Sequence, residues 1–85
     1  MLAVQFLPSA ARDMEKLEPI VRRRIARRIE QLARDPRGGG AVKLRGADDI
    51  WRARVGDYRI LYQIEDERMI VVVIKIGHRG GVYRG

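Results

Sequence analysis

The sequence predicts an α+β domain: an N-terminal strand, a two-helix hairpin, then an antiparallel strand meander forming a twisted sheet with the helices on one face. Two changes along the chain carry this expectation. Through Val21, Ile25, Ile29 and Leu32 the apolar residues recur at spacings of three and four, the stripe of a helix. From Ile50 onward the apolar period falls to two, β-branched and aromatic residues predominate, and the breaks are short turn sequences such as Gly56-Asp57.

Taken in order, Leu2 to Leu7 is apolar apart from one Gln and reads as the first strand. Pro8-Ser9 closes it, and Ser9 is placed to cap a short helix running to about Leu17. Pro19 marks the start of the second helix, whose stripe ends before Asp35-Pro36; the two helices form a hairpin. Arg37 to Gly40 is a glycine-rich connector, and Gly38-Gly39-Gly40 lacks the Gly-Lys-Ser/Thr ending of a phosphate-binding loop. Ala41 to Arg45, Ile50 to Val55, Tyr58 to Ile64 and Met69 to Ile76 then read as four strands.

The turns set an expected register. Gly56-Asp57 suits a two-residue hairpin loop with glycine first, and Glu65 to Arg68 suits a second tight turn. With two residues in each loop, Val55 opposes Tyr58 and Ile64 opposes Met69. Trp51, Ala53, Val55, Tyr58, Ile60, Tyr62, Ile64, Met69, Val71 and Val73 then share the helix-packing face, with Trp51 and Tyr62 in the core. Arg52, Arg54, Arg59, Leu61, Gln63, Ile70, Val72, Ile74 and Ile76 share the other, where three arginines lie beside apolar area that the helices do not cover. A surface of that kind implies a partner.

Composition narrows what the partner is. The 85 residues make one domain, 1–85, which buries only about 60–65% of its unfolded surface. The longest apolar run, Met69 to Ile74, is far too short to span a membrane. No basic segment precedes Leu2 and no small-residue cleavage site follows Leu7, so a cytoplasmic protein is expected. The sequence has no cysteine and one histidine, which excludes disulfides and thiolate catalysis and leaves little for a transition metal; no cofactor and no metal are expected. A net charge of +7 favours a polyanion. All basic side chains but Lys16, Lys43 and Lys75 are arginines, whose planar forks suit phosphate.

The expected register sets Arg54 directly across from Arg59, with Arg52 two residues along on the same face. Like charges opposed at ~5.5 Å cost roughly 1–3 kcal/mol between effective dielectrics of 80 and 20. Stability does not recommend the arrangement, whereas convergent guanidinium groups complement a phosphate gaining charge as it is attacked. A solvated strand face without chemistry is the plainer reading. Beyond the last strand, Gly77 to Arg84 adds the only histidine, two arginines and a tyrosine. His78 is either a surface residue or a general acid or base; Arg79 and Arg84 are a basic tail or phosphate ligands; Tyr83 stacks on a base or anchors the terminus. In the second helix Arg22-Arg23-Arg24 and Arg27-Arg28 form either a solvated face or, through Arg23 and Arg27, a contact to RNA.

Lys43-Leu44-Arg45-Gly46, then Trp51 through Tyr62, then Gly77-His78-Arg79 and Val82-Tyr83-Arg84 together resemble the RelE family, toxins of bacterial and archaeal toxin–antitoxin pairs. The resemblance runs the length of the chain in order. It implies a RelE-like fold and a ribosome-dependent messenger-RNA endoribonuclease working without metal in the ribosomal A site, by attack of the 2′-hydroxyl on the adjacent phosphorus. It also implies partners: the 70S ribosome with message, and a cognate RelB-like acidic antitoxin through which alone operator DNA is met. Matched position by position, Arg52 and Arg54 correspond to the paired basic residues before the Gly-Asp turn and Arg59 to the arginine that stabilises the phosphorane-like transition state. Arg79 corresponds to the proton donor or phosphate ligand and Tyr83 to the base-stacking tyrosine, with Lys43, Arg45 and Arg84 as further RNA contacts.

This chain departs from the family in two places. The strand pair is often lysine, and arginine is a poor proton acceptor at neutral pH, so Arg52 and Arg54 supply electrostatics and leave His78 or a ribosomal group as the candidate base. Gly80-Gly81 replaces bulkier residues before Val82. An antitoxin segment is expected over the Arg52, Arg54 and Arg59 face, burying Ile70, Val72 and Ile74. Two alternatives stand beside it: a ParE-like poison of DNA gyrase, which shares the fold but against which the Arg52, Arg54, Arg59, Arg79 and Tyr83 set argues, and a non-catalytic ribosome- or nucleic-acid-binding module using the same arginines only for phosphate contacts.

Overall fold

A computed structural model describes residues 1–46 and 49–78. The elements are β1 (Ala3–Phe6), α1 (Pro8–Lys16), α2 (Pro19–Arg34), β2 (Val42–Lys43), β3 (Ile50–Val55), β4 (Tyr58–Glu65) and β5 (Ile70–His78). They form one sheet in the order β1-β5-β4-β3-β2. β1 lies parallel to β5, and every other pairing is antiparallel. The helices lie on one face of the sheet. Ile25, Ile29 and Leu32 of α2 and Ala10 of α1 close on Ala53, Ile60, Tyr62, Ile64, Val71, Val73 and Ile76, with Trp51, Val55 and Tyr58 packed at the margin. The helical stripe and the period-two strands thus meet as expected. None of the described helices is long and apolar enough to cross a membrane.

Both helices begin on proline, which lacks the N–H that a first helical turn leaves unbonded anyway. Ser9 does not cap α1. The cap position is Leu7, without a side-chain bond, and the Ser9 hydroxyl donates instead to the Ile74 carbonyl at 2.8 Å. The reason lies at the sheet edge. β1 pairs with β5 only as far as Val73, so the next stretch of β5 would present unbonded polar groups. Leu7 N donates to Val73 O at 2.9 Å, Ser9 covers Ile74 O, and the Asp13 carboxylate accepts from Ile76 N at 3.0 Å. Arg22 closes the helical hairpin: its guanidinium donates to Met14 O and Leu17 O at 3.0 and 2.8 Å, a cation on the carbonyl end of α1.

The first turn follows the expected register, with Val55 opposite Tyr58 and Gly56 carrying the positive φ of 57° that this loop requires. The second does not. Its loop is Asp66 to Met69, so Glu65 opposes Ile70 and Ile64 opposes Val71. Met69 leaves the helix-packing face, closes the turn at φ 55° and is 60% exposed. The slip is two residues, which preserves the facing of Val71 and Val73. A bulge then separates Tyr62↔Val73 from Leu61↔Lys75. Ile74 is the extra residue, and past it the faces exchange: Ile76 enters the core, while Lys75 and Gly77 take the arginine side. Ile76 therefore does not belong to the arginine face. Ile70 and Val72, which do, are each only 8% exposed, so the apolar area expected there for a partner is largely covered already.

Candidate active site

The β3–β4 hairpin sets Arg54 opposite Arg59 and Arg52 opposite Leu61, all on the sheet face away from the helices. On its other side Arg59 faces Gly77, where no side chain competes for the space. Arg54 is exposed and Arg52 half-buried. Arg59 is only 8% exposed, the one buried charged side chain among the described residues. Its Nη1 donates to Tyr58 O at 3.2 Å and, at the limit of a bond, to Gly56 O at 3.5 Å. Its Nε is buried without a partner. No carboxylate of the described residues pairs with Arg54 or Arg59. A buried guanidinium held only by carbonyls is costly, and an anion supplying charge and acceptors together would offset that cost.

The remaining candidates are dispersed. His78 pairs across from Tyr58, its exposed ring edge-on to the tyrosine ring at 5.3 Å and 86°, on the side that the helices occupy. It therefore faces away from Arg54 and Arg59. Lys43 lies on β2 opposite Trp51, exposed, 3.5 Å from Asp49, and Arg45 is exposed in the turn that follows. Arg23 and Arg27 are exposed on α2. Arg79, Tyr83 and Arg84 lie outside the described residues. Among the described residues no group of three or more His, Asp or Glu side chains is disposed to hold a metal ion.

Two basic features escaped the sequence reading. Lys75 takes the arginine side through the bulge, and its Nζ reaches Asp13 at 3.2 Å. Arg24, Arg27, Arg28 and Gln31 of α2 line a groove beside the Gly56 turn together with Arg54, Val55 and Gly56. Their spacing of three and four was legible as one helix face; that this face looks onto the β3–β4 turn was not. Elsewhere Arg37 makes a bidentate pair with Asp66 at 3.1 and 2.7 Å and lies 5.9 Å over the Trp51 ring, pinning the glycine-rich connector to the second turn. That hydrogen bond raises the pKa of Arg37 and lowers that of Asp66.

A small basic sheet with arginines grouped on one face, backed by a helical hairpin, is the architecture of a toxin class. The family model for the ParE toxin of the type II toxin–antitoxin system parDE matches residues 4–83. The chain belongs to this RelE/ParE family of type II toxins. Among its relatives, toxin RelG of Mycobacterium tuberculosis is 36% identical over 85 residues, 95% of this chain and 94% of RelG. The mRNA interferase toxin RelE of Escherichia coli K12 is 32% identical over 78 residues, covering 89% of this chain and 81% of RelE. The fold superposes on the toxin chain in the intact E. coli RelBE toxin–antitoxin complex with a TM-score of 0.83 at 29% identity, covering 92% of this chain and 96% of that one.

Proposed function

We propose that this toxin is a messenger-RNA interferase, an endoribonuclease that cuts message in the ribosomal A site by metal-independent transesterification. The observation that carries the reading is Arg59, buried with an unpartnered Nε beside Arg54 on a face where neither meets a carboxylate of the described residues. The chain's similarity to the mRNA interferase toxin RelE of E. coli supports it. In the proposed reaction the 2′-oxygen bonds to the adjacent phosphorus, the bond to the 5′-oxygen breaks, and the products are a 2′,3′-cyclic phosphate and a free 5′-hydroxyl. DNA lacks the nucleophile and is not cut.

Arg59 neutralises the charge that accumulates on the non-bridging oxygens, with Arg54 and Arg52 adding to the same field. Arg79 donates to the leaving oxygen or binds the phosphate, and Tyr83 stacks on a base; Lys43, Arg45, Arg84, Arg23 and Arg27 contact RNA. His78, turned toward Tyr58, is too poorly directed to take the 2′-hydroxyl proton, and this reading assigns that step to a group on the ribosome. The protein acts in the cytoplasm and is held inactive by an acidic RelB-like antitoxin, which links it to operator DNA. With Ile70 and Val72 already covered, that antitoxin engages the arginines and the half-buried Leu61 and Gln63.

The ParE description of the matching family model favours a second reading, a gyrase poison. One pair of assays separates them. Purified toxin added to programmed ribosomes is expected to cut the message, with no accumulation of gyrase-dependent DNA breaks. Breaks without message cleavage would establish the second reading, and neither outcome would leave a binding module.

A further inference from the structure

A groove lies between α2 and the β3–β4 turn. Its lining is Arg24, Arg27, Arg28 and Gln31 from α2, Arg54 and Val55 from the end of β3, and Gly56. Arg24 is stacked against the turn, its Nη2 3.4 Å from where a Cβ on Gly56 would lie. Arg28 is fixed by bonds to Gly39 O at 2.7 Å and Gln31 Oε1 at 3.2 Å. Arg24, Arg27 and Arg54 have no hydrogen bond or ion pair with any described residue, and Asp57, in the adjoining turn, pairs with none of them. Arginines gathered along one groove whose lining includes no carboxylate repel one another, and an anion relieves that repulsion. A protein segment would want apolar anchors, of which the lining supplies only Val55. Phosphates need only the forks.

Arg54 belongs to both this groove and the Arg59 face. We propose that the groove is a second phosphate-binding site, which holds the single-stranded RNA backbone flanking the scissile phosphate as it passes from Arg59 over the Gly56 turn to α2. The proposal rests on the ribonuclease reading above and extends it from one phosphate to a track. Single strands rather than duplex are the expected ligand, because the track bends around a hairpin turn.

The test compares wild type with Arg24→Gln/Arg27→Gln, both exposed helix positions, using non-cleavable 2′-O-methyl RNA. One oligonucleotide is just long enough for the Arg54–Arg59 face and the other is about ten nucleotides. Wild type is expected to bind the longer one more tightly, and the double variant to lose that gain. Its salt slope should also fall by about 1.4, two contacts at roughly 0.7 each. Arg24→Lys/Arg27→Lys should restore most of the slope. Equal slopes in wild type and glutamine variant, a lysine variant that behaves like glutamine, or a loss confined to an RNA duplex would each overturn the assignment. Arg59→Ala is assayed alongside for cleavage of ribosome-bound message. If it cuts normally, the ribonuclease reading fails; if it is impaired while the groove variants bind as wild type, only the groove fails.

Discussion

Arg59 joins burial, charge and an unused donor in one side chain, a combination that stability alone does not favour. Arg59→Met keeps the stem and removes the charge, so melting should show stability unchanged or raised by on the order of 1 kcal/mol, even as cleavage collapses. Tyr62 shows the opposite logic, a polar group fully satisfied inside. Its hydroxyl donates to Pro36 O, and burial pushes its pKa up to about 12, against the opposing pull of Arg28 and Arg37. A raised folded-state pKa means stability is present below the unfolded value near 10 and is lost as pH climbs toward about 12. Tyr62→Phe should flatten denaturation midpoints across that window. At neutral pH it should cost about 1–2 kcal/mol, through the carbonyl left without its donor.

At the scale of elements, legibility divides at the turns. Gly56-Asp57 announced its own geometry, because glycine at positive φ is what a two-residue loop needs there, and the facing of Arg52, Arg54 and Arg59 followed from it. The Glu65–Arg68 stretch contains no such signature, and an unbroken apolar run from Met69 to Ile74 gives no alternation from which to count the loop. The bulge at Ile74 was equally silent, except that Lys75 breaks the apolar pattern just where the faces exchange. The edge bonds from α1 were out of reach, since they depend on β1 lying parallel to β5 and stopping short. Asp13→Ala should therefore cost about 1–2 kcal/mol in chemical denaturation and speed hydrogen exchange at the Ile76 amide, an effect that a solvated carboxylate would not produce. Gly56→Val, forcing a β-branched residue to φ 57°, should cost about 1–3 kcal/mol.

For the whole molecule, a net charge of +7 is spread unevenly. Arg22 and Arg37 hold the helical hairpin and the connector through carbonyls and Asp66, while on the α2 groove and the β3–β4 face Arg24, Arg27, Arg54 and Arg59 meet no carboxylate of the described residues. Electrostatic attraction to RNA should thus fall steeply with salt and respond to substitutions on those two surfaces, while Arg37→Gln leaves binding unchanged. The role proposed for Arg59 is to stabilise a cleaving phosphate. It is tested most directly by single-turnover cleavage of ribosome-bound message with Arg59→Ala, folding verified. The rate is expected to fall by ~10²–10³-fold, the scale of a lost oxyanion donor. Cleavage at the wild-type rate would contradict it.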